Sequence, residues 1–259
     1  MRTPAVITIG IDPFIHVGGL TIAWHGLTVA IGVLLGALLA ARWARDSDLS
    51  GDPLYAIAAL VAVGGLVGGR AFFLLEHGGP LVGTNGFTFD GGVIVAALLL
   101  ALYVRRKRLP LAYLDIVAAA LPLGVAIGRI GDIVNGEHYG PQSDFLLAVR
   151  NSNPHALTPN PHLAYQNGGL YEALLALIIF FIAWALRRRK LGPLDMTWLV
   201  LGLFNLGRFG EFFLRSDSPK LALGLNNAQW TSLVLLLVVA VGWPITRRKL
   251  TSGRMSPVR

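Results

Sequence analysis

Long apolar runs, broken at intervals by short clusters of arginine and lysine, limit most what this chain can fold into. A run of about 20 apolar residues is the length of a membrane-spanning helix. Seven segments approach it: about Leu20–Trp43, Leu54–Leu75, Gly91–Val104, Leu111–Ile127, Gly169–Leu186, Leu194–Phe204 and beyond, and Gln229–Ile245. The third is short for a hydrocarbon core of roughly 30 Å, so it starts in the preceding loop or tilts. Only 14% of the residues are charged and 54% are hydrophobic, whereas a soluble domain carries about a quarter charged residues. The expected fold is all-α: a polytopic membrane protein of about seven transmembrane helices, one integral-membrane domain over 1–259. The polar, proline-containing stretch 132–168 forms a small outer-face head region within it.

The basic residues indicate orientation. The net charge is +8, which on its own suggests a nucleic-acid partner. Its distribution argues against one, because no basic face or aromatic ladder accompanies it. Arg42 and Arg45 follow the first run, Arg105-Arg106-Lys107-Arg108 the third, Arg187-Arg188-Arg189-Lys190 the fifth and Arg247-Arg248-Lys249 the seventh. With seven spans these clusters share one side, the cytoplasmic one by the positive-inside rule. The N-terminus is then outside and the C-terminus inside, in a bacterial-type plasma (inner) membrane. No cleavable leader is expected, since the first eighteen residues hold Arg2 and Asp12 but no apolar core with a small-residue cleavage site. With no cysteine in the chain, a thiolate metal site or cysteine nucleophile is excluded; no metal and no cofactor are expected. Trp24, Trp43, Trp198 and Trp243 read as interfacial anchors.

Several arginines stand where hydrocarbon is expected: Arg70, Arg129 and Arg208, with Arg215 seven residues further on and so on the same face of a continuing helix. Glu76, Asp90, Asp132, Glu137, Glu172 and Glu211 accompany them. Ionisable groups inside a membrane mark function by default. A guanidinium is always charged and forks onto phosphate or carboxylate, so two or three in one apolar cavity would make a lipid-phosphate site. The structural alternative is that each snorkels to an interface or joins a buried ion pair. A transporter is the other functional class that such charges fit, but no inverted repeat is present. The motifs of intramembrane proteases are absent too.

The run Gly128-Arg129-Ile130-Gly131-Asp132-Ile133-Val134-Asn135-Gly136-Glu137-His138-Tyr139-Gly140 resembles the signature of prolipoprotein diacylglyceryl transferases, Gly-Arg-x-Gly-Asn-Phe-x-Asn-Gly-Glu-x-Tyr/Trp-Gly. Shorter matches keep the family's order from the first span to the last: Ile22 to Leu27, Gly69-Arg70, Phe89 to Gly92, Leu170-Tyr171-Glu172, Gly207-Arg208-Phe209 with Arg215 and Asp217, and Leu223 to Leu225 with Gln229 and Ser232. The departures are His25 for a tyrosine, Asp90 for a histidine, Asp132 for an asparagine and Phe204 for a tyrosine. Glu211 also lies three residues after Arg208 rather than four.

The resemblance implies that phosphatidylglycerol gives its diacylglyceryl group to the cysteine thiol in the lipobox of a lipoprotein precursor, and glycerol phosphate leaves. The implied partners are that lipid, the precursor's lipobox peptide and membrane lipid. Arg129, Arg208, His25, Asp90 and Glu137 are the catalytic candidates. Arg129, Arg208, Asn135, Gly140, Asp132, Arg70, Glu172 and Arg215 are the candidates for holding phosphatidylglycerol. A thiol with a pKa near 8.5 calls for a base, and His25 paired with Asp90 is one choice. His25 as an interfacial histidine, Asp90 as a helix cap and Glu172 as a helix-dipole partner are the structural alternatives. The alternative functions are a paralogue acting on another lipid or acceptor, and a non-enzymatic protein that binds or transports lipid phosphate.

Overall fold

The computed structural model describes residues 6–80 and 86–252, without the side chains of 76, 89, 90 and 250–252. Among the described residues there are seven α-helices: α1 Trp24–Arg45, α2 Asp52–His77, α3 Phe89–Arg106, α4 Ala112–Asn135, α5 Gly168–Leu186, α6 Asp195–Glu211 and α7 Asn227–Ser252. Five of them, α1, α2, α4, α5 and α7, contain stretches long and apolar enough to cross a membrane. The protein is therefore a mostly helical, multi-pass membrane protein.

Short strands supplement the helices. β1 (Ile7–Ile9), β5 (Val149–Asn151), β6 (Tyr165–Asn167) and β4 (Tyr139–Gln142) form one sheet in the order β1-β5-β6-β4, with β1 parallel to β5. β2 (Phe14–Val17) and β3 (Leu20–Ala23) form a hairpin. The first apolar segment thus opens as strand, not helix. Its helix begins at Trp24, whose N–H bonds the Pro13 carbonyl and whose indole donates to the Asp12 carbonyl at 3.0 Å.

The chain divides into two compact units, 37–117 and the combination of 1–36 with 118–259. In the first, glycines bring α2 and α3 close: a Cβ on Gly68 would lie 2.4 Å from the Gly91 carbonyl oxygen, and one on Gly92 2.9 Å from that of Gly65. In the second, α1 meets α4 along a similar seam. A Cβ on Gly32 would lie 2.4 Å from the Gly124 carbonyl oxygen, and one on Gly131 2.4 Å from the His25 Cα. Thr28 ties the seam, donating to the Gly128 carbonyl at 2.9 Å and accepting from the Gly131 N–H at 3.1 Å. Small residues of this kind let helices in lipid approach closely enough for dispersion and hydrogen bonding to act.

α5 and α6 repeat the device, since a Cβ on Gly207 would lie 2.4 Å from the Leu175 methyls. α6 and α7 are joined at one end by the Trp243 indole on Asp195 (2.6 Å) and the Trp198 indole on Thr246 (2.9 Å). Two tryptophans expected as interfacial anchors thus spend their N–H groups inside the protein. Asn226 and Gln229 form a reciprocal capping box at the start of α7, with bonds of 2.9 and 3.1 Å.

A candidate active site of linked arginines and carboxylates

The signature stretch is the last two turns of α4 and its exit. Arg129 and Asp132 lie within the helix, where the sequence reading had the polar stretch begin at Asp132. The helix stops because Gly136 adopts φ +73°, a left-handed conformation open to glycine, and the Glu137 N–H then bonds the Asp132 carbonyl at 3.0 Å. Asn151 on β5 donates to the Ile133 and Val134 carbonyls at 2.8 and 3.1 Å, taking up acceptors that the helix end leaves open. This stop sets Asn135, Glu137 and His138 on a fixed turn, with Asn135 Nδ2 bonded to Glu137 Oε1 at 2.9 Å.

Glu172, fully buried on α5, is the centre of the site. Its Oε2 lies 2.8 Å from Arg129 Nη2, and its Oε1 accepts from Arg208 Nη1 at 2.8 Å. One carboxylate therefore holds an arginine from α4 and one from α6. The N-cap of α5 is Asn167, whose side chain accepts the Leu170 N–H at 2.8 Å, and Glu172 lies beyond the first turn, where it pairs with two arginines rather than standing at the helix dipole. Arg129 also donates to Asp132 Oδ2 at 2.5 Å. The other oxygen of Asp132 receives His25 Nδ1 from α1. His25, Asp132, Arg129, Glu172 and Arg208 thus form one continuous chain of contacts across four helices. Asp132 is 1% exposed and Glu172 0%, while the His25 side chain is 47% exposed.

Arg215 does not extend the α6 face as its spacing suggested. The helix ends at Glu211, a 3-10 turn spans Phe212–Leu214, and Arg215 is extended. It returns to the site by another route: the Arg208 and Arg215 guanidiniums lie 4.7 and 4.3 Å from the Phe212 ring centroid. Arg215 pairs with Asp217 at 2.5 and 2.8 Å. His138, which the sequence reading passed over, sits between these groups. Its Nε2 is 3.5 Å from Asp132 Oδ2, and its Nδ1 is 2.6 Å from Arg215 Nη2 and 3.3 Å from Asp217 Oδ2. A neutral ring accepts from Arg215 at Nδ1, whereas a protonated ring donates to Asp217 there. Burial opposes protonation of His138, but the bonds to Asp132 and Asp217 outweigh it and raise its pKa. Burial likewise pushes the Asp217 carboxyl up, and the bonds from His138 and Arg215 outweigh it and hold that carboxyl below its usual range.

The remaining expected residues have other surroundings. A Cβ on Gly140 would lie 1.9 Å from the Leu214 carbonyl oxygen, so glycine there admits the chain crossing behind the site. Arg70 belongs to the 37–117 unit and donates to the Gly86 and Pro80 carbonyls at 3.1 and 2.5 Å. The side chain of Asp90, the expected partner of His25, lies outside the described residues, and the partner that His25 has is Asp132. Glu211 is buried at 7% exposure, and neither of its oxygens has a hydrogen-bond partner among the described residues. His25, Asp132 and Glu137 each offer a donor atom within 4.8 Å of the others, a spacing able to hold a metal ion. Both oxygens of Asp132 are already engaged by His25 and Arg129, and a cation would have to displace a guanidinium.

A helical protein with apolar spans and two arginines clamped on one fully buried carboxylate carries ionisable groups of the kind that mark candidate functional sites in membrane proteins. The comparisons with known proteins agree with that class and narrow it. The family model described as prolipoprotein diacylglyceryl transferase matches residues 13–245, and the chain belongs to that family. It is similar to the phosphatidylglycerol–prolipoprotein diacylglyceryl transferases of Rhizobium meliloti strain 1021, at 32% identity over 92% of each chain, and Sinorhizobium medicae strain WSM419, at 31% over 92% of each. The enzyme of that name from Geobacillus kaustophilus strain HTA426 is 32% identical over 91% of this chain and 92% of its own.

Proposed function

We propose that this protein is a phosphatidylglycerol–prolipoprotein diacylglyceryl transferase, moving a diacylglyceryl group from phosphatidylglycerol to the lipobox cysteine of a lipoprotein precursor and releasing glycerol phosphate. The observation that carries this reading is the bridging of Arg129 and Arg208 by Glu172 in a chain of this family. Glu172 fixes both planar forks, and a guanidinium has five N–H donors, so the pair can take a lipid phosphate while still held. As the C–O bond to phosphate breaks, charge grows on the phosphate oxygen, and fixed cations in a water-poor site stabilise that charge most. Asn135 and Glu137 hold the glycerol head group, with Asp132 behind Arg129. Arg215 lines the same site through Phe212, and Gly140 leaves room for the backbone at its edge.

In this reading the protein is one integral-membrane domain in the bacterial plasma membrane. α3 and α6 also cross, giving seven spans, with the N-terminus outside, the C-terminus cytoplasmic and the part of 132–168 that follows α4 as the outer head. The decisive test is rescue of a strain depleted of its own diacylglyceryl transferase, together with the mass of a lipobox peptide incubated with membranes containing this chain and phosphatidylglycerol. Growth and a diacylglycerol mass increment are expected. Good expression with neither outcome rejects the assignment.

A further inference from the structure

His25 and Asp132 are both departures from the family signature, and they touch. The contact fixes the tautomer: with Nδ1–H directed at Asp132 Oδ1, the lone pair of a neutral ring is at Nε2. No other hydrogen bond to the His25 side chain is found among the described residues, and that side chain is 47% exposed. Asp132 is itself held by Arg129 at 2.5 Å and is 1% exposed. A buried carboxylate on one nitrogen of a half-exposed imidazole, which leaves the other nitrogen as the proton acceptor, is the arrangement of a general base. The same Asp132 touches Arg129, so the imidazole is anchored beside the arginine pair that the reading above assigns to the phosphate.

We infer that His25, oriented by Asp132, is the base that takes the proton from the acceptor thiol. The inference rests on the transferase reading and deepens it. The thiol S–H proton passes to His25 Nε2 as the sulfur forms its bond to the glyceryl CH2 of the lipid. The C–O bond to phosphate breaks with its electron pair on the phosphate oxygen, and glycerol phosphate leaves. The imidazolium then gives its proton to that phosphate or to water, restoring the neutral ring. Asp132 does not change protonation; it positions the ring and balances the charge that forms on it. The other charged groups acting on His25 are Glu137, within 4.8 Å, and Arg129, through Asp132.

The test uses two lipobox peptides that differ in one atom, cysteine and selenocysteine, with full-length protein in phosphatidylglycerol vesicles. A selenol is ionised at neutral pH and needs no base. His25→Gln is expected to lower kcat/KM on the cysteine peptide by about 10²–10³-fold but on the selenocysteine peptide by less than about tenfold. Asp132→Asn is expected to show the same split, reduced in size. Equal loss on both peptides overturns the base assignment and leaves His25 a structural residue. Wild-type protein supplies a reading that does not depend on variant folding. A solvent deuterium isotope effect is expected on cysteine and not on selenocysteine, and equal effects on both count against the assignment. If wild-type protein modifies neither peptide, the transferase reading itself fails and takes this one with it.

Discussion

At the scale of single residues, the site depends on charges that are each held by another. Glu172 faces two guanidiniums in a site that water scarcely reaches. Breaking a buried pair by removing one partner costs about 3–5 kcal/mol, because the remaining charge is left uncompensated. Glu172→Gln is therefore expected to lower the melting temperature in detergent and abolish transfer together. Arg129→Lys keeps the charge and loses the fork, so it is expected to fold yet lose about 10²–10³-fold in kcat/KM, as read from peptide mass. His138 and Asp217 give a pH signature. The raised pKa of His138 contributes stability that is fully present below the ordinary histidine value and is lost as pH rises through the raised one. The depressed pKa of Asp217 contributes stability present above the ordinary carboxylate value and lost on acidification. The margin in melting temperature of the wild type over His138→Gln is expected to be widest near about pH 5–6 and to narrow above the histidine range. A margin that is flat from pH 5 to 9 (roughly the span over which the ring changes charge) would remove His138 from the ion-pair network.

At the scale of helices, glycine decides which side chains meet. Gly131 lets α1 approach α4 until His25 reaches Asp132. Gly131→Ala would put a methyl 2.4 Å from a backbone atom and is expected to cost about 1–3 kcal/mol, with transfer falling further than stability. One turn away, a Cβ on Gly128 would meet only Val29, at 3.5 Å, so Gly128→Ala is expected to be nearly neutral in both assays. The apolar runs made the long helices legible in the sequence, and the signature with the shorter matches made Arg129, Arg208 and Glu172 legible as candidates. The pairing was less so. The seven-residue spacing of Arg208 and Arg215 assumed a continuing helix, but α6 ends at Glu211. His25 had Asp132 as its partner because of a glycine seam, and such close approach has no periodic signal to read. Asp132 itself looked like the start of a loop, since a polar residue after an apolar run does not reveal that the helix runs on until Gly136 takes a positive φ.

At the scale of the whole molecule, the proposed orientation rests on the basic clusters. Reporter fusions placed after Lys190 and after Gly140 are expected to lie on opposite sides of the membrane; the same side for both would refute the seven-span arrangement. The sheet that joins β1 to β5 has a consequence for how the protein is made. Ile7 pairs with Val149, so β1 leaves the ribosome with its sheet partner still unmade until four helices and their loops have followed it. At about 5–20 residues per second that wait is on the order of ten seconds. During it, three residues of unpaired backbone stand ready to associate with any neighbouring strand. Completion of this sheet is therefore a late event in biogenesis, and a nascent chain halted before Val149 would present to the cell's quality control a β1 without the strand that pairs with it.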